Sequence, residues 1–219
     1  MDRITEAFAW PTRDPEWLTK LLIIALTLLI PIVGAINGLG WMLASLDRLR
    51  AGEERLAPAN LRYIGRGLRL FVVNLAYLLA IGLVAALVYV PALVVASSQS
   101  HSAANPALIS LAIALSLLAF SIATLGSLAV NFVTPSIVLA TDRGGIAGGL
   151  HLRAVLWAAR ANLANTLIAG LMLIAAGFIG SLGLVACGIG VFFTTAYALA
   201  AQAWVVRSFE IGSPAATAA

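Results

Sequence analysis

Residues Leu70–Ala96 read LFVVNLAYLLAIGLVAALVYVPALVVA, and their reading decides the fold. They open a run of 72 residues, Leu70 to Thr141, with no Asp, Glu, Lys or Arg. As a helix the first 27 rise ~40 Å, more than the ~30 Å hydrocarbon core of a bilayer. The polar segment SSQSHSAANP at 97–106 divides the run, and Ala107 to about Thr134 is long enough to return. The pattern predicts two helices crossing lipid, with 97–106 as an outside loop.

On the N-terminal side stands Asp47–Arg69, DRLRAGEERLAPANLRYIGRGLR, which holds six of the thirteen Lys and Arg residues. An arginine-rich strip between apolar runs belongs at the cytoplasmic surface of a membrane. Composition agrees. The chain is 62% apolar and 10% charged, with a mean hydropathy of +1.02. A soluble domain carries about a quarter charged residues. The net charge of +4 therefore points to basic loops against the membrane and not to nucleic acid.

The apolar run Leu21–Leu46 is 26 residues, too long for the about 7–15 of a secretory h-region, so it is expected to stay in the mature chain. Ahead of it, Ile4–Trp10 predicts a short amphipathic interfacial helix with Ile4, Ala7 and Phe8 on one face. Asp14-Pro15-Glu16 carries the signals of a helix start, and Trp17 and Lys20 read as interface anchors. Leu21–Leu46 itself has two readings, one long kinked helix or a hairpin of Trp17–Ile32 and Gly38–Arg50. The hairpin puts all thirteen cationic residues on one side of the membrane and is the preferred reading.

Beyond the central run, Pro135 is expected to kink or end a helix before Asp142-Arg143, a loop pair. Gly144, Gly145, Gly148 and Gly149 are expected to break the chain. Leu150–Arg160 is again amphipathic, Leu163 to about Gly180 is a span, a Gly-rich turn follows at 183–188, and Ile189–Val206 spans back. The fold predicted is an all-α membrane bundle of six transmembrane helices, or five, with short amphipathic interfacial helices on the cytoplasmic side. It forms one domain over 1–207, with a flexible tail at 208–219. Three units, 1–57, 58–145 and 146–207, share one plan: an amphipathic segment, a span, and a returning span ending on a basic residue near a glycine. Both duplication and ordinary alternation explain that plan.

Several short motifs lie along this frame: Asp14-Pro15-Glu16-Trp17, Ile30-Pro31, Gly40-Trp41 leading to Arg48-x-Arg50, Ala51-Gly52-Glu53, Leu56-Ala57-Pro58 and Gly65-x-Gly67-Leu68. With Gly148-Gly149-Leu150 through Asn162-Leu163, the layout resembles DUF4013, a family of uncharacterised bacterial and archaeal membrane proteins. Ala59-Asn60 departs from the acidic and aromatic residues expected after Leu-x-Pro. The resemblance implies a polytopic membrane protein and brings no catalytic or binding residue; the one-sided charge places both termini on the cytoplasmic side of a prokaryotic cytoplasmic membrane.

Arg62, Arg66 and Arg69 fall at i, i+4 and i+7, opposite Ile64, Leu68 and Phe71. They read either as a contact for anionic lipid headgroups or a partner, or as a basic loop that only fixes topology. Asn74, Asn131, Asn162, Asn165 and Gln202 are amides in or beside spans, read as interhelical packing groups or as the lining of a solute path. Cys187 reads as a packing residue, and His101 and His151 lack neighbours at ligand spacing, so neither a metal nor a cofactor is expected. No acid or base falls within an expected span, and no Walker loop, G-x-S-x-G, H-E-x-x-H or C-x-x-C occurs. A non-catalytic membrane protein is expected: an accessory subunit or organiser of a membrane complex, contacting lipid, other subunits or itself. The other reading is a transporter or channel for a neutral or apolar solute.

Overall fold

The computed structural model describes residues 2–99, 105–185, 188 and 190–212. The expectations placed on His101, Cys187, residues 100–104 of the loop at 97–106 and residues 213–219 lie outside the described residues. The chain is all-α, with no strand among the described residues. Helix α1 (Asp2–Ala9) runs into a 3-10 turn, Trp10–Arg13, and is followed by α2 (Trp17–Leu28) and α3 (Val33–Arg50). Then come α4 (Ile64–Gln99), α5 (Pro106–Leu150), α6 (Leu152–Ala161), α7 (Leu163–Leu182) and α8 (Gly190–Ile211).

The run Leu21–Leu46 is two helices. The reversal is local: Ile32 takes φ 65°, and α3 starts directly against the end of α2. Gly34 permits this, because a Cβ there would collide with the Thr27 carbonyl and lie 2.7 Å from Leu28 Cα. Two elements run longer than expected. Helix α4 continues through Pro91 to Gln99, and α5 continues through Pro135. Pro135 therefore does not end its helix, and Asp142-Arg143 lie within it, not in a loop. The glycine cluster does bend the chain: Gly145, at φ 63° and ψ −156°, is non-helical inside α5. Part of the expected tail is helical, since Ser208–Ile211 belong to α8 and Phe209 and Glu210 are buried.

The chain divides into two compact units, Met1–Val73 with Asn131–Ala219, and Asn74–Val130. The first holds the main core, built from Trp10, Leu21, Ile24, Trp41, Leu43, Leu46, Leu56, Val206 and Phe209. Its buried indoles donate to carbonyls, Trp10 Nε1 to Ala200 O at 3.1 Å and Trp41 Nε1 to Ala57 O at 3.0 Å. These bonds matter because an indole N–H left unpaired in a core costs about 1–3 kcal/mol. Helix α1 is held to α8 by Tyr197, whose hydroxyl donates to Phe8 O. Of the expected amphipathic face, Ala7 is fully buried and Phe8 packs against the core, while the side chain of Ile4 lies outside the described residues.

The second unit is an apolar helical hairpin formed by the later part of α4 and the earlier part of α5. Its helices approach at Gly126, where a Cβ would lie 3.0 Å from Ile81 Cγ2. Among the described residues three helices are long and apolar enough to cross a membrane: α4, α5 and α7. Helix α2, at 12 residues, rises ~18 Å and is shorter than a bilayer core.

Candidate functional site

Charge is scarce in this chain, and the structure gathers much of it in one place. Asp47 and Arg50 close the end of α3, Arg66 opens α4, Asp142 and Arg143 lie late in α5, and Arg207 and Glu210 end α8. Arg50 Nη1 donates to Asp47 Oδ1 at 3.1 Å and to Asp142 Oδ2 at 2.7 Å. Arg66 Nη2 donates to Asp47 Oδ1 at 3.1 Å and to Asp142 Oδ1 at 2.6 Å, and Arg66 Nη1 to Asp47 Oδ2. Two arginines and two carboxylates therefore form a closed ring.

Glu210 joins the ring through Arg50, which grips it with Nε and Nη2, both at 3.0 Å. Arg143 and Arg207 each add a bond to Glu210 at 3.0 Å. Such a fork is the strong geometry for arginine with a carboxylate. The side chains of Asp142 and Glu210 are only 8% and 10% exposed, so their charges need these partners. Burial alone pushes the Glu210 carboxyl up, but Arg50, helped by Arg143 and Arg207, outweighs it and holds the carboxyl below its ordinary value. The three expected basic endings, near Arg50, Arg143 and Arg207, meet in this network.

A second device recurs just before the first expected span of each expected unit. Asp14 Oδ1 accepts from Glu16 N, Asn60 Oδ1 from Arg62 N and Asn162 Oδ1 from Asn165 N. In two cases the same side chain also ties down the chain just past the second helix. Asp14 Oδ2 accepts from Leu56 N at 2.8 Å, and Asn162 Nδ2 donates to Gly212 O at 3.0 Å. Asp14 is buried and also bound by Lys20 Nζ at 2.7 Å, so Lys20 is an internal partner as well as an expected anchor. Burial raises the Asp14 carboxyl, yet its bonds to Lys20, Glu16 N and Leu56 N leave it lowered.

The residues singled out in the sequence separate into two groups. Arg66 is committed to Asp47 and Asp142. Arg69 is exposed and lines a cavity of about 230 Å³ with Leu43, Arg66, Thr141 and Asp142. Arg62 is exposed and precedes α4, outside that cavity. Asn165 is buried and its Nδ2 donates to Phe209 O at 3.0 Å, while Asn162 caps α7. Asn131 is exposed on α5 and Asn74 half-buried on α4. Sequence reasoning missed Asp142 and Glu210 as partners of Arg50, which lie 92 and 160 positions away. The available signal was their rarity, because each of nine acids in so apolar a chain needs a cationic partner.

Gly67 and Gly40 sit beside this network. A Cβ on Gly67 would collide with the Ile36 carbonyl oxygen and lie 2.7 Å from Gly40 N. Residues 23–189, which include both glycines, Arg50, Arg66 and Asp142, match the family model described as Protein of unknown function (DUF4013). The chain belongs to the DUF4013 family. No curated protein and no solved structure matches it. The family match covers three of the four helices that build the network, and α8 with Glu210 lies beyond the matched residues of this DUF4013 chain.

Proposed function

We propose that this protein is a non-catalytic integral membrane protein, an accessory subunit or organiser of a membrane complex, in the cytoplasmic membrane of a prokaryote. The observation that carries the reading is the hairpin in Asn74–Val130. Only 6% of the apolar stretch of α4 and 11% of that of α5 is buried by the chain itself. Leu78, Leu79, Leu83, Leu87, Leu117, Phe120 and Leu125 are all at least 62% exposed. Burying each would contribute about 1.5–3 kcal/mol, so lipid and a partner subunit are the natural covers. The clustered charges, meanwhile, are paired with one another, and Asn162 and Asn165 bond backbone carbonyls. That use of the amides supports packing over a solute path.

In this reading six helices are embedded, with α2 and α3 entering as a hairpin whose outer face carries Leu22, Leu26, Leu29 and Ile30. Three units of one plan stand with their helix bases and both termini on the cytoplasmic side, where Arg62 and Arg69 meet headgroups or a partner. Cysteines placed at Arg13 and Ala51 should label from one side and a cysteine at Ser100 from the other. Labelling of Arg13 with Ser100 would remove the α2–α3 hairpin from the membrane account. The functional test is native purification of the tagged chain in mild detergent. A stoichiometric membrane partner is the expected result, and a chain that emerges alone from its native membrane contradicts the subunit reading.

A further inference from the structure

Helix α6 carries a basic face with no acidic partner among the described residues. Val155 and Ala159 are buried, so the helix seats on that side. Arg153, Trp157 and Arg160 follow at i, i+4 and i+7 and point the other way, all three exposed, Trp157 by 68%. Neighbours at this spacing lie about 5–6 Å apart on a helix surface. Neither arginine has an ion pair among the described residues, and residues 143–209 contain no Asp or Glu. That leaves the pair open to a counter-charge from outside the chain.

The surroundings say where it comes from. Asn162, at φ −145° and ψ 85°, breaks the helix between α6 and α7. Thr166 Oγ1 donates to Ala159 O at 2.6 Å, pinning the last turn of α6 to the first of α7. Helix α7 is a candidate membrane span with Leu163, Leu167, Ile168 and Leu171 exposed. An exposed indole flanked by two arginines, fixed at the mouth of a span, is at headgroup depth. Tryptophan prefers that depth, and arginines there attract anionic lipid. We propose that Arg153, Trp157 and Arg160 form a binding face for the headgroups of anionic phospholipids. This rests on the membrane reading and is independent of whether the protein has a subunit partner.

The test uses the full chain in nanodiscs with lipids brominated near the headgroup, which quench nearby indoles. The difference between wild type and Trp157→Phe isolates the signal of Trp157 from those of the other tryptophans. Brominated phosphatidylglycerol should quench that signal at a concentration on the order of tenfold lower than brominated phosphatidylcholine. The Arg153→Gln/Arg160→Gln variant should lose the preference, Arg153→Lys/Arg160→Lys should keep it, and raised salt should weaken it in wild type. Equal quenching by both lipids, absent quenching of Trp157, or a preference that survives the Gln pair would each overturn the proposal. If the Gln pair fails to fold, the salt dependence of wild type decides. A preference that raised salt leaves unchanged overturns the role of the arginines.

Discussion

The base of the bundle and the hairpin in Asn74–Val130 are built on opposite terms. At the base, four arginines and three carboxylates from α3, α4, α5 and α8 satisfy one another, and Asp14 accepts from three donors. In the hairpin, large apolar side chains face outward with no cover from the chain. A polar group out of water must find its partner within the protein, because burial without one is costly. An apolar group accepts any apolar cover, so lipid or another subunit serves. The polar groups of the base are therefore satisfied within the chain, and the apolar surface of the hairpin is left to be covered from outside.

Substitutions at the two places should accordingly differ in kind. The largest effect is expected at Arg50, which alone touches three carboxylates. Removing one partner of a buried ion pair costs about 3–5 kcal/mol, and Arg50 at 24% side-chain exposure belongs at the low end. Arg50→Ala should thus cost about 3 kcal/mol. In a melting experiment in detergent that is roughly a 6–12 °C drop, at about 2–4 °C per kcal/mol for a chain of this size. Gly67→Ala should follow at about 1–3 kcal/mol, because the added methyl meets the α3 backbone, which cannot rotate away.

A smaller effect comes from pH. The folded state lowers the carboxyl groups of Asp14 and Glu210 below their unfolded values. Each therefore contributes stability in full above its ordinary value, about 3.9 for Asp and 4.3 for Glu. That contribution is lost as pH falls through the lowered folded value. The melting temperature should hold down to about pH 5 and fall below it, with the Glu210→Gln variant less stable at neutral pH and less pH-sensitive. Smallest of all, Leu83→Ala should change the stability of the isolated chain by no more than about 0.5 kcal/mol in the same melting experiment, as an exposed side chain has no packing to lose.

How much of this was legible in the sequence follows from the range of each interaction. The uncharged run Leu70–Thr141, the amphipathic spacing of 152–160 and the helix start near Asp14-Pro15-Glu16 act within a few residues, and each has its helix in the structure, with α4 and α5 longer than read, Leu152 exposed and α2 starting only at Trp17. The hairpin in 21–46 was legible only through charge sidedness, and its turn proved to need Gly34 against Thr27. The ring of Asp47, Arg50, Arg66 and Asp142 was not legible, since its members meet across three helices with no spacing to announce them. The helical part of the expected tail has the same cause. Phe209 and Glu210 precede a small, polar sequence, and the core, Asn165, Arg50, Arg143 and Arg207 hold them in α8.

The subunit reading proposed above seats the partner on the hairpin in Asn74–Val130. A photo-activatable residue at Leu83 on α4 or Phe120 on α5, activated in native membranes, tests it most directly. The expected result is a discrete adduct with one membrane protein from at least one of the two positions, and none from a control at Ala51. Adducts with lipid alone at both positions would contradict the claim.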